Sequence, residues 1–72
     1  MDDVRQQFAA NLRRYRIAAG LSQEALATLC DLHRTEISLL ERRKRSPRLE
    51  TIVILSRGLE LNSPSQLLDD IA

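Results

Sequence analysis

"LSQEALATLCDLHRTEISLLER", residues 21–42, reads as two short helices joined by a tight turn. Ser22 is a good helix N-cap, and Glu24 follows in the first turn, where its charge suits the positive end of the helix. Leu26, Leu29 and Cys30 supply an apolar face. "DLH", residues 31–33, breaks the pattern. Asp31 tolerates a left-handed backbone better than most residues. Ala27 is small enough for two helices to approach closely, and Leu32 is placed to drop back into the core. Helical spacing resumes at Arg34 and runs to about Arg42, with Ile37 and Leu40 inward. The opposite face carries Arg34, Thr35, Ser38, Leu39 and Arg42, of which Arg34, Ser38 and Arg42 form an i, i+4, i+8 stripe.

The flanking segments are helical as well. Val4, Phe8, Leu12, Tyr15 and Ala19 recur on one helical face, with Asp2 and Asp3 at the positive end and Gly20 available to close the C-terminus. After Pro47, Leu49, Ile52, Leu55, Ser56 and Leu59 mark a fourth helix, whose last turn Gly58 weakens. "SPSQ", residues 63–66, has an N-cap serine, a proline at the first helical position and a glutamine at the third, the pattern of a capping box. Leu67, Leu68 and Ile71 follow it. The expectation is an all-α domain of five short helices. Helices this short are unstable alone and must share one core.

At 72 residues the chain is read as a single domain, 1–72. A domain of this size buries only about 60% of its unfolded surface. Cys30 and His33 are the only residues of their types, so an internal disulfide is impossible, four-ligand zinc is not expected, and neither a metal nor a cofactor is indicated. A second copy of the chain is the natural extra support. The lone thiol suits a reducing cytoplasm. "MDDVRQQ" does not resemble a signal peptide, and no apolar run approaches the roughly 20 residues of a membrane span. Paired carboxylates in a cleft, a glycine-rich phosphate loop and a thiol–histidine arrangement are all missing, so an enzyme is not expected, and Cys30 reads as core packing.

The net charge is only +1, but "RRKRSPR", residues 42–48, holds five cations and no acid. A basic patch on a near-neutral chain marks one face for an anionic partner. Together with a helix held proud of the body by a tight turn, it suits DNA: the major groove admits an α-helix, arginine pairs with guanine O6 and N7, and threonine offers a hydroxyl and a methyl. An ordinary solvated helix would carry similar residues.

Residues 21–59 resemble the helix-turn-helix domain of the Cro/phage-repressor (XRE-like) family, through Ser22-Gln23-Glu24, Leu26-Ala27, Ile37-Ser38, Glu41 and Pro47 at their spacings. "NLRRYR", residues 11–16, is similar to the end of that family's first helix. "LHRTEIS" followed by "ER" and a basic stretch looks most like the controller proteins of restriction–modification systems. The resemblance implies a five-helix lambda-repressor-like DNA-binding domain, with the helix-turn-helix at about 22–42 and a dimerisation part at about 47–72.

The same resemblance implies roles. Arg34, Thr35, Ser38, Leu39 and Arg45 would contact bases. Arg13, Gln23, His33, Arg42, Arg43 and Lys44 would lie along phosphates. Arg16 and Glu41 would form a structural ion pair. Four positions depart from the family's habit. Asp31 and Arg43 stand where glycine is common, and Arg43 would be strained if its position is left-handed. His33 replaces the usual Ser or Thr cap. Glu36 is acidic on the DNA face, where it could offset the helix dipole, reach a cytosine amine or exclude wrong sites. The partners implied are double-stranded DNA and a second copy of the chain, with no membrane and no small-molecule ligand. Val53 and Ile54 are the main interface candidates, because helix four cannot bury them beside Ile52 and Leu55. Leu67, Leu68 and Ile71 are further ones, unless they cover their own core. An antitoxin of this fold, with a toxin as its partner, is the alternative.

Overall fold

In the computed structural model, which describes residues 2–71, the chain forms α1 (Asp2–Ala18), α2 (Gln23–Cys30), α3 (Arg34–Glu41), α4 (Leu49–Gly58) and a 3-10 helix (Pro64–Leu68). The side chains of Asp2 and Asp3, expected to offset the α1 dipole, lie outside the described residues. Among the described residues there is no strand, and no helix is long and apolar enough to cross a membrane.

Each boundary has a local cause. Gly20 takes the left-handed conformation (φ 74°) after α1, and its N–H donates to the Ile17 carbonyl at 2.9 Å. Ser22 Oγ accepts from the Ala25 N–H at 3.0 Å and starts α2. Packing then closes the structure. Phe8 and Leu12 from α1, Leu26 from α2, Ile37 and Leu40 from α3, Leu55 from α4 and Leu67 are all fully buried in one cluster. Tyr15, Leu21, Leu32, Leu61 and Ile71 pack around its edge, so Leu32 does drop back from the turn.

The fifth element differs from the expected α-helix. Its capping box forms as read, with Ser63 Oγ accepting from the Ser65 N–H at 3.2 Å and Gln66 Oε1 from the Ser63 N–H at 3.2 Å. It then ends within five residues as a 3-10 turn. The cause lies in α1, where the buried Asn11 amide donates to the carbonyls of Leu67 at 3.0 Å and Asp69 at 2.8 Å. In a continuing α-helix the Leu67 carbonyl would accept from residue 71. Among the described residues the count is therefore four α-helices and one 3-10 helix.

The expected apolar faces hold in their centres and fail at their ends. Val4 and Ala19 are exposed at the two ends of the α1 stripe, and Leu49 is exposed at the start of α4. Leu29 is 61% exposed rather than part of the core. Gly58 has a packing reason beyond its helix propensity: a Cβ there would collide with Cys30 Sγ, so the glycine lets α4 lie close against α2 with Cys30 in the seam. The Cys30 thiol points along the same seam, 3.7 Å from the Ile54 carbonyl, and burial pushes its pKa up.

Candidate nucleic-acid interface

The turn between α2 and α3 is built by backbone geometry. Asp31 is left-handed (φ 55°, ψ 40°). Its N–H reaches the Thr28 carbonyl at 3.2 Å, and the Leu32 N–H reaches Ala27 at 2.8 Å, closing the end of α2. His33 then starts α3, its Nδ1 accepting from the Thr35 N–H at 3.1 Å. The ring therefore acts as the missing Ser/Thr cap. With Nδ1 turned to the helix, Nε2 is the ring nitrogen left for any phosphate.

With Ile37 and Leu40 fully buried below, α3 is fixed in rotation. Arg34, Thr35 and Arg42 are exposed, and Ser38 and Leu39 are half-buried between them. Among the described residues, Arg34 and Thr35 make no side-chain hydrogen bond or ion pair. One groove joins Arg34 to Ser22, Gln23 and Glu24 at the start of α2. Gln23 faces that groove, but its Nε2 also donates to Glu41 Oε1 at 3.1 Å, leaving one amide hydrogen.

Arg16 and Glu41 form the expected ion pair. Arg16 Nε and Nη2 meet the two Glu41 oxygens at 2.6 and 3.0 Å, with side chains only 12% and 4% exposed. The hydrogen bond to Glu41 raises the Arg16 pKa above its already high ordinary value, against the opposing effect of burial.

The loop after α3 carries the cations. Arg43 is left-handed (φ 63°), which for a residue with a side chain costs about 1–2 kcal/mol. The backbone closes around it, the Lys44 N–H donating to the Leu39 carbonyl at 2.9 Å. Arg5, at the far end of α1, donates from Nε to Ser46 Oγ at 2.9 Å. This brings Arg5 and Gln6 to one cleft with Arg42, Arg43 and Lys44. A neighbouring groove adds Arg13 to Arg42 and Arg43. Arg45 turns away from this cleft to Glu36, with Nη1 2.5 Å from Oε1. Sequence reading missed Arg5. Nothing in its spacing sets it apart, and only the fold brings it to a hydroxyl 41 positions away.

The interface candidates separate. Ile54 and Leu68 are exposed, while Val53 and Ile71 are half-buried, Ile71 against the core of its own chain. Leu67 is corrected: it is 0% exposed and part of the core, held there by Asn11. Ile54 instead shares a shallow groove with Leu29, Arg57 and Glu60.

A family model described as "Helix-turn-helix" matches residues 12–66, spanning the turn, α3 and the loop beyond it. The chain belongs to the helix-turn-helix family. It is 42% identical over 65 residues to control protein C.SmaI of Serratia marcescens, covering 90% of this chain and 77% of that one. It is 41% identical over 69 residues to control protein C.BamHI of Bacillus amyloliquefaciens, covering 94% and 84%. Among solved structures, the restriction–modification controller protein C.AhdI of Aeromonas hydrophila superposes with a TM-score of 0.83 at 38% identity, over 88% of this chain and 94% of that one. The chain is thus a helix-turn-helix DNA-binding regulator of the XRE-like kind, related to restriction–modification controller proteins.

Proposed function

We propose that the chain is a transcriptional regulator that binds an inverted-repeat operator as a homodimer in the cytoplasm, as a controller protein of a restriction–modification system. The observation that carries this reading is the α3 surface. Arg34 and Thr35 are exposed and uncommitted beside a loop of cations, while the opposite side of the same helix is sealed into the core. Arg34 and Thr35 contact base edges, Ser38, Leu39 and Arg45 add further contacts, and Arg13, Gln23, His33, Arg42, Arg43 and Lys44 lie along phosphates. Phosphate contacts set affinity and register, and base contacts set sequence preference.

One copy of α3 reads only a few base pairs, so two copies related by a two-fold axis read half-sites about one duplex turn apart. The helix-turn-helix at about 22–42, with Arg45 in the loop after it, carries the readout, and the part from about 47 onward carries dimerisation through Val53, Ile54, Leu68 and Ile71. Exposed Leu29, beside Ile54, extends that patch. Control runs through protein concentration, dimerisation and operator occupancy, with no small-molecule ligand. The relatives favour this reading over an antitoxin.

Selection of bound sequences from a random duplex pool tests it. The expected product is a two-fold-symmetric consensus whose half-site centres lie about 10 base pairs apart. A pool that stays random after repeated rounds at moderate salt contradicts it.

A further inference from the structure

Glu36 is an acid in the first turn of a helix that faces DNA in the reading above, and its carboxylate is occupied. Arg45, nine positions later in the loop, donates from Nη1 to Glu36 Oε1 at 2.5 Å. The Glu36 side chain is 23% exposed and that of Arg45 is 53% exposed, so the acid is the more covered member of the pair. The two line one hollow with His33, Ser46 and Arg48. Without Glu36, the long Arg45 side chain would lose its one ion-pair partner and share that hollow with the cation of Arg48. With Glu36, one of the five guanidinium N–H donors is spent and four remain, held in a plane at the edge of α3.

We propose that Glu36 is a positioning residue for sequence readout: it holds Arg45 in the orientation from which Arg45 reaches a base, and the ion pair persists in the DNA complex. Were Arg45 to leave, the Glu36 carboxylate would face phosphates without its own partner, which favours keeping the pair, although a pair this exposed is itself worth little. Glu36 therefore raises the preference for the right sequence while lowering affinity for DNA in general, since its charge opposes every duplex alike. The inference rests on the DNA-binding reading.

The test is a double-mutant cycle of Glu36→Gln, Arg45→Ala and the pair, each titrated against the selected duplex and a scrambled one, with helix content checked by circular dichroism. Glu36→Gln is expected to lower the ratio of selected to scrambled affinity by about five- to tenfold, within the range one good base contact supplies. Its scrambled-duplex affinity should hold or rise. The double variant should be no worse than Arg45→Ala alone, because the two residues act as one unit. An unchanged ratio for Glu36→Gln overturns the proposal. So does a raised ratio, with binding to the selected duplex tightened more than binding to the scrambled one, which would make the pair a restraint. A further loss in the double variant also overturns it, because Glu36 would then read a base itself. If the unaltered chain binds neither duplex, the DNA reading fails and this inference falls with it.

Discussion

Arg16 and Glu41 fasten α1 to α3 through two parallel hydrogen bonds, and Arg16 Nη1 also donates to the Leu21 carbonyl at 2.9 Å. The arginine thus ties together the end of α1, the start of the helix-turn-helix and the end of α3. Glu41 in turn holds the Gln23 amide. Arg16→Met leaves a carboxylate stranded in a site where it is 4% exposed. The expected loss is about 3–5 kcal/mol in urea unfolding, because an unpaired buried charge costs more than the pair contributes. Arg16→Met with Glu41→Leu should recover part of it; a double variant no more stable than the single one would contradict the pairing. Because the Arg16 pKa is raised on folding, the stabilisation is complete below the ordinary arginine range and fades only as pH climbs through the still higher folded value, so it persists through neutral pH.

Gly58→Ala should destabilise the fold, although alanine is the better helix former by about 1 kcal/mol. The added methyl meets Cys30 Sγ at the α2–α4 seam, and overpacking of this kind costs about 1–3 kcal/mol. Cys30→Ala in the same chain should restore much of the loss. A Gly58→Ala protein with a raised melting temperature would show that the seam has room to spare.

Arg5→Ala should weaken binding to selected and scrambled duplexes alike and reduce the slope of log affinity against log salt by about 0.9. The basis is the cleft that Arg5 shares with Arg42, Arg43 and Lys44. Lys44→Ala should do the same. A slope unchanged in both variants would remove the cleft from the phosphate path.

Ile54→Glu should give a folded monomer with poor operator affinity, because the residue is exposed beside Leu29 on a face the core does not use. Leu67→Ala should instead lower stability by about 2–5 kcal/mol through a core cavity. Sedimentation and thermal melting separate the two. An Ile54→Glu protein that still sediments as a dimer would place the interface elsewhere.

Much of this was legible in the residues. Ser22, Asp31, Ile37 and Leu40 announce a turn and the inward face of α3 because capping, backbone handedness and helical period act over a few positions. The Arg16–Glu41 pair came from family resemblance and spans 25 positions, which no local rule reaches. What escaped was decided by tertiary contact. Asn11 reads as an ordinary polar helix residue until it is found holding two carbonyls near the C-terminus, where it sets both the 3-10 geometry and the burial of Leu67. Leu29 fits the apolar face of α2 by spacing, yet the turn leaves it uncovered. The acid at position 36 and the base at 45 are each readable, but not that they pair across nine positions.

The central claim is that the exposed face of α3 and the loop after it meet DNA. Amide chemical-shift mapping with the pool-selected duplex tests this most directly. The largest perturbations should fall on residues 33–39 and 42–45, with Gln23 and Arg13 following and the core amides of α4 nearly still. Perturbations centred on α4 and the C-terminal turn instead, or a spectrum unmoved by a stoichiometric duplex at low salt, would contradict it.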